Sequence, residues 1–299
     1  MTAEPWVDAL QQRHRSNFTT SEFLKAVRAL SARYVEQRSS IRDRAPLDSA
    51  GKRSAFAAFY APLHFFTTRE IIRNLPRRES PPELIVDLGC GPGVVSAAWA
   101  LESRADLKVR PSGHMTSGAP DLLGPEARTD PKVRPSGHVT SGALDLLGPG
   151  APKVLGIDAH PWALSEAGWN WRQLGLRGGV ERADFARAAE QLLKRSKPQA
   201  RGMAIVAGWS VNELSNDARA GLLPTLIEFG RRGASVLIVE PIAKSAVPWW
   251  HEWESAFVGA GGRANEWRFA AALPSTLRAL SDAAGFRRDE LTARTLALG

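Results

Sequence analysis

Apolar positions along this chain fall into two patterns. Short continuous runs, LIVD at 84–87, VLGID at 154–158, MAIVA at 203–207 and SVLIVE at 235–240, alternate with longer stretches whose apolar residues recur every three or four positions. The runs suit strands covered on both faces, and the longer stretches suit helices with one apolar side. The pattern predicts strands over 84–87, 154–158, 180–184, 203–207 and 235–240, with helices over 94–102, 162–174, 185–194 and 217–229 between them. Pro161 suits a helix's first turn and Ser215 an N-cap. Strand and helix in regular alternation give an α/β fold: a Rossmann-like, doubly wound, mostly parallel sheet with helices on both faces.

The two ends of the chain differ from this middle. Thr19-Thr20-Ser21-Glu22 forms a capping box, and Phe23, Val27, Leu30 and Tyr34 follow at helical spacing. Residues 1–80 therefore read as a helical N-terminal extension, and 81–299 as the α/β domain. After the fifth strand, 274–284 reads as a helix and 287–298 as a closing strand or hairpin. Trp249, Trp250, Trp253 and Phe257 lie near one helix face, where they either pack onto the sheet or form a platform for stacking bases.

One segment breaks the alternation. KVRPSGHMTSGAPDLLG at 108–124 returns as KVRPSGHVTSGALDLLG at 132–148, with changes only at Met115/Val139 and Pro120/Leu144. Two copies are too few for a solenoid, and the Pro, Gly and Ser content argues against a packed element. Residues 108–151 are read as a flexible tandem-repeat insertion between the first helix and the second strand. His114 and His138 are one histidine copied, not a metal pair.

Composition narrows the class. A chain of 299 residues with 43% hydrophobic and 23% charged residues is globular. Its single cysteine, Cys90, excludes a disulfide framework and any cysteine-rich metal site, so no metal is expected and a reducing cytoplasm fits. The first residues lack an apolar signal segment and no apolar run is long enough to span a bilayer, so no membrane role is expected. The formal net charge of +8 favours a polyanionic partner such as RNA, although a merely basic, solvated surface explains it too.

The chemistry concentrates in Asp87-Leu88-Gly89-Cys90-Gly91-Pro92-Gly93, at the carboxyl end of the first strand. Glycines there let the main chain turn sharply and approach a ligand without a Cβ, and the helix that follows offers free N–H groups. A dinucleotide fingerprint needs its third glycine where this chain has Val94, which argues against a nicotinamide dehydrogenase. A P-loop needs a Gly-Lys-Ser/Thr that is absent.

This D-x-G-x-G-x-G string resembles motif I of the class I S-adenosylmethionine-dependent methyltransferases. The resemblance implies S-adenosyl-L-methionine as cofactor, with Asp87, Gly89, Cys90, Gly91 and Gly93 in the binding turn. It also implies an acidic residue at the end of the second strand that accepts both ribose hydroxyls, here Asp158 with Ala159 beside it. Asp158 lies 65 residues after Gly93, and leaving out the 44 of the insertion shortens this to 21, close to the usual spacing of about 20. Asp184 and Phe185 match the position that meets adenine, with a helix N-cap an equal reading for Asp184. Ala207 and Trp209, at the end of strand four, match the edge of the methyl-transfer site, and Asn212 and Glu213 are its candidate catalytic residues. Trp209 packing under the sheet and Asn212 satisfying loop backbone are the plainer alternatives. His160 is a second guess at a base.

The string VAGWSVNELSNDARAGLL together with LIVEP at 237–241 resembles methyltransferase-like proteins linked to assembly of the small ribosomal subunit. Members of that group often carry a cysteine cluster, which this chain lacks. The resemblance implies methyl transfer to ribosomal or other RNA, with a small-molecule acceptor as a second possibility. A non-catalytic RNA-binding assembly factor on the same fold is the third.

Overall fold

The computed structural model describes residues 3–36, 47–76, 80–109, 152–196, 200–286 and 289–299. The expected insertion at 108–151, with His114 and His138, lies outside the described residues except for the main chain of its first two positions. So do the side chain of Tyr34 and the start of the closing segment at 287–288.

Four helices precede the sheet: α1 (Glu4–Arg15), α2 (Thr20–Glu36), α3 (Ala50–Ala55) and α4 (Ala61–Asn74), the last two joined through a π-helical turn at Phe56–Tyr60. The capping box forms at α2: Glu22 accepts from the Thr19 N–H at 2.8 Å and from its Oγ1 at 2.7 Å, and the Glu22 N–H donates back to Oγ1 at 3.3 Å. Then strand and helix alternate as β1 (Leu84–Leu88), α5 (Val94–Val109), β2 (Lys153–Asp158), α6 (Pro161–Gln173), β3 (Arg177–Arg182), α7 (Phe185–Arg195), β4 (Met203–Gly208), α8 (Asn216–Arg231) and β5 (Ser235–Glu240). The chain closes with α9 (Trp250–Gly259), β6 (Arg263–Ala270), α10 (Ser275–Ala283) and β7 (Glu290–Leu298).

The sheet runs β3-β2-β1-β4-β5-β7-β6. β1 to β5 are parallel, and β7 is antiparallel to both its neighbours. Such a doubly wound sheet is the fold expected from the pattern. The four N-terminal helices share one core with α5, α6 and α10 on one face, whereas α7, α8 and α9 cover the other. Trp249, Trp250, Trp253 and Phe257 are buried in that second core, so the packing reading holds for them. No helix among the described residues is long and apolar enough to cross a membrane.

Three departures from the pattern have physical reasons. The third strand occupies Arg177–Arg182 instead of 180–184, taking in Gly178 and Gly179, which belong to no apolar run. The first helix runs on to Val109, past the last clear apolar repeat. β6 was not predicted: its polar and apolar residues alternate at a half-solvated edge, and no apolar run marks it.

One glycine of β3, Gly178, makes room for Trp171 on α6. A Cβ at Gly178 would sit 2.5 Å from the indole, one at Gly156 of β2 2.7 Å from it, and one at Gly93 2.8 Å from it. Trp171 therefore lies flat in a slot cut by three missing side chains, fully buried, and donates its Nε1–H to the Gly93 carbonyl at 2.8 Å. The N-terminal layer is fastened to the same helix. Trp6 Nε1 donates to Asn170 Oδ1 at 2.8 Å, and the buried Glu166 takes Arg13 at 3.0 Å and His14 at 3.0 Å. Burial acts to raise the Glu166 pKa, but the hydrogen bonds from His14 and Arg13 outweigh it and hold the carboxyl below its ordinary value of 4.5.

Adjacent glycines should respond oppositely to a methyl group. Gly178→Ala forces a Cβ into the indole and is expected to cost about 1–3 kcal/mol in urea unfolding. Gly179→Ala, whose Cβ meets nothing within 4 Å, should stay within about 1 kcal/mol of wild type. Because the folded pKa of Glu166 is the lower one, its contribution is complete above pH 4.5 and lost as pH falls through the folded value. Glu166→Gln should therefore flatten the acid limb of the stability–pH curve measured by thermal melting.

Candidate functional site

The D-x-G-x-G-x-G string folds into the turn between β1 and α5. Gly89, Gly91 and Gly93 have φ of 67°, 50° and 72°, the left-handed region that favours glycine. Only Gly91 faces space. A Cβ on Gly89 would meet Ser210 at 2.6 Å and Phe185 at 3.0 Å, but one on Gly91 would meet nothing within 4 Å. Two of the glycines thus serve packing, and the middle one leaves bare main chain facing open space.

Most of the turn's donors are already engaged. The N–H groups of Gly89 and Cys90 donate to the Ile157 carbonyl of β2 at 2.8 and 3.1 Å, and that of Gly91 donates to Asp158 Oδ2 at 2.9 Å. Behind the turn, Asn170 Nδ2 donates to the Pro92 carbonyl at 2.9 Å, next to the Trp171 bond to Gly93. Cys90 turns its thiol inward beside Gly156, and burial, then the Asp87 and Asp158 charges, push its pKa well up. It brings only main chain to the turn.

Asp158 stands at the end of β2, as expected, with one oxygen on Gly91 and the other accepting the His160 N–H at 2.8 Å. A carboxylate has about four acceptor positions, so two remain. Ala159 is exposed beside it and His160 caps α6 through Nδ1 at 3.2 Å from the Trp162 nitrogen. Asp184 is not at a strand end: it N-caps α7, accepting the Arg187 N–H at 2.9 Å. The Phe185 ring, by its approach to Gly89, borders the glycine turn. Ala207 is fully buried in the core beneath and gives the cleft no side chain.

At the end of β4 the main chain is strained. Trp209 has φ of 55°, the one described non-glycine residue with positive φ, and its N–H donates to the Val239 carbonyl at 2.7 Å. Its ring stacks on His64 of α4 at 3.9 Å and 3° between planes. Trp209 thus stands at the carboxyl edge against the N-terminal layer. Next to it, Ser210 Oγ donates to the Leu88 carbonyl at 2.9 Å and ties β4 to β1.

A 3₁₀ turn at Val211–Glu213 then places Asn212 and Glu213. Asn212 is held by structure: its N–H donates to Glu240 Oε1 at 3.2 Å, and its Oδ1 accepts from Trp249 Nε1 at 3.4 Å. Glu213 is an exposed residue, and the protein around it, then the Asp158 charge, push its carboxyl up to about 7.

Acidic groups accumulate along this edge. Asp87 is buried with Oδ2 on the Ser96 N–H at 3.2 Å and Oδ1 without a partner. Burial raises its pKa to about 7 against the Ser96 hydrogen bonds, with Asp158 adding to the rise. Glu240, at the end of β5, is raised to about 8 by burial, against the Asn212 hydrogen bond and with help from Glu213, and its Oε2 is also unpartnered. Four carboxyls in electrostatic contact therefore line one edge of a chain whose net charge is +8. Sequence reading found Asp87, Asp158 and Glu213. It missed Glu240, and it missed Asn170, Trp171 and His64, which shape the edge from other elements and carry no motif.

No family model matches the sequence, and no curated protein matches it. Solved structures similar to the chain include the precorrin 8w decarboxylase of Methanobacterium thermoautotrophicum (15% identity over 77% of this chain and 88% of that one, TM-score 0.41). The mitomycin 7-O-methyltransferase MmcR is 12% identical over 98% and 70%, with a TM-score of 0.42. The ribosomal protein L11 methylase of Lactobacillus delbrueckii subsp. bulgaricus is 12% identical over 79% and 76%, with a TM-score of 0.36. At such scores the likenesses carry no weight for function, and the site is read from its own residues: a doubly wound α/β sheet with a glycine turn and an acidic carboxyl edge.

Proposed function

We propose that the protein is an S-adenosylmethionine-dependent methyltransferase. The observation that supports this best is the pairing of an open glycine turn with an edge of carboxyls. A cofactor that carries a sulfonium, an ammonium and a ribose diol calls for acceptors and negative charge, and both lie at the carboxyl edge where doubly wound sheets bind ligands. The residues fit such a group. Asp87 Oδ1 is a buried acceptor with no partner, Asp158 keeps acceptor capacity, and Gly91 has no side chain in the way. Bound, S-adenosylmethionine supplies an electrophilic methyl group on its sulfonium sulfur.

The chain's own part is chiefly to bind and align. Holding an acceptor atom in line with the methyl carbon converts a bimolecular encounter into a unimolecular one, worth about 7–11 kcal/mol at best. Asp87 and Asp158 would hold the ammonium and ribose ends, Phe185 would border the adenine, and Trp209 backed by His64 would form the wall on the acceptor side. Glu213, with a pKa near 7, is suited to take a proton from an acceptor that carries one. Asn212 is a positioning residue, since both its recorded bonds go to the protein. An RNA or ribosomal acceptor is supported by the basic charge and by the resemblance carried by VAGWSVNELSNDARAGLL and LIVEP.

Titration calorimetry with S-adenosylmethionine tests the reading. Saturable binding is expected, weakened at least about tenfold by Asp158→Ala while the melting profile stays cooperative. Affinity should also climb with pH: below 7 Asp87 and Glu213 hold protons and lose their attraction for a cation, so each contributes up to about tenfold between pH 6 and 8. Absence of binding on well-folded protein overturns the proposal, and so does binding without transfer of labelled methyl groups to any acceptor in a cell extract.

Without ligand, the same raised carboxyls act on stability. The folded state keeps the Asp87 proton up to about 7 and the unfolded state releases it near 3.8, so the folded state binds more protons and stability falls with rising pH across that window. Asp87→Asn should remove much of this slope in thermal melts between pH 5 and about 8.

A further inference from the structure

Beyond β5, on the face covered by α9, a cavity of about 450 Å³ opens between α9, the paired strands β6 and β7, and the segment that leaves β5. Its volume falls in the range of small-molecule sites, about 300–1,000 Å³. Arg294 of β7 lies on its wall with only 4% of the side chain exposed. The guanidinium is oddly served for a buried charge. Nη2 donates to the Ile242 carbonyl at 2.9 Å and to Glu266 Oε1 at 2.7 Å, and the Trp250 ring covers it at 4.9 Å. Nε is buried without any partner, and Nη1 has no acceptor among the described residues. Nε is therefore a buried donor left unmet, although buried polar groups in folded proteins are nearly always paired.

The other walls say what would meet them. Lys244 adds a second cation, and Glu254 and Glu266 two carboxylates, so the lining is balanced in charge, and the carboxylate paired with Arg294, that of Glu266, has a side chain 56% exposed at the sheet edge. Trp250, Val247 and Pro248 offer apolar surface. A guanidinium with open donors takes a carboxylate or phosphate, and an apolar wall takes the body that carries it.

We propose that this cavity binds a small organic anion, a carboxylate or phosphate on an apolar or aromatic body, with Arg294 as its anchor. Resting on the methyl-transfer reading, it is the acceptor's anchoring site. Arg294 pairs in register with Glu240 at the carboxyl end of β5, and β7 stands two strands from β4, about 10 Å from the line of Trp209. Because Trp209 packs on the opposite face, against the N-terminal layer, an acceptor anchored at Arg294 would reach it around the carboxyl edge of the sheet.

The test is calorimetry of the whole protein with benzoate, phenyl phosphate and, as a neutral control, benzyl alcohol. At least one anion should bind saturably and the control should not; which anion binds decides between carboxylate and phosphate. Glu266→Gln removes the resident anion from an exposed position and should tighten binding several-fold, whereas Lys244→Ala should weaken it. Arg294→Lys should weaken it at least about tenfold if the variant folds, and the two surface variants decide the matter if it does not. No binding to wild type and to Glu266→Gln overturns the site, as does binding indifferent to both surface changes or displaced by an RNA oligonucleotide. An S-adenosylmethionine titration on the same samples reads the cofactor site separately, so anion binding without cofactor binding overturns the methyl-transfer reading and leaves this site standing.

Discussion

The geometry of the carboxyl edge depends on how the glycine turn is held. A turn of three left-handed glycines has the widest conformational freedom a chain can have, and fixing it costs more entropy per residue than fixing any other. Here that freedom is removed from two sides. From β2, the Ile157 carbonyl and the Asp158 carboxylate take the turn's amides; from α6, Asn170 and Trp171 take its carbonyls. The indole fits only because Gly156, Gly178 and Gly93 lack side chains. A glycine in each of β2, β3 and the turn thus serves one tryptophan, and the tryptophan fixes the turn.

Against this rigid frame the carboxyls are kept at a cost. Asp87 and Glu240 are buried, each with an unpartnered oxygen, and both have pKa values raised into the neutral range. A packed core would do better with apolar residues at those positions. Their concentration at one edge, along with the positive φ of Trp209, marks the place where this fold departs from its own packing rules, and such departures gather at functional sites.

How much of this was legible in the sequence follows from the kind of signal each feature leaves. The five parallel strands and their helices show as apolar runs and helical repeats, and Asp87, Gly91 and Asp158 show because the turn motif and its spacing to the next strand are local. Phe185 borders the turn, and of the two readings open for Asp184 the helix N-cap holds, since β3 ends before it at Arg182. Gly178 makes sense only once Trp171 is above it, and no local pattern says so. β6 was invisible for a different reason: a half-solvated edge strand alternates polar and apolar residues over too few positions to stand out from a loop. Arg294 and Glu240 read as a plain basic and a plain acidic residue in their strands, and only the fold shows that both are buried and face each other in the register of β5 with β7.

The helical N-terminal residues read as an addition in front of a sheet, but the contacts give them a larger part. Trp6 of α1 donates to Asn170, and Asn170 donates to the Pro92 carbonyl of the turn, so α1 is two hydrogen bonds from the glycines. At the end of β4, His64 of α4 lies flat on Trp209, whose left-handed backbone donates to Val239 and whose ring packs against the N-terminal core. Strain of this kind, of order 1–3 kcal/mol, persists only where surrounding contacts fix it. The lead-in helices therefore support both flanks of the carboxyl edge, the turn through α6 and the Trp209 wall directly. A change that loosened α1 or α4 would be felt at the site although no residue of either helix carries a motif.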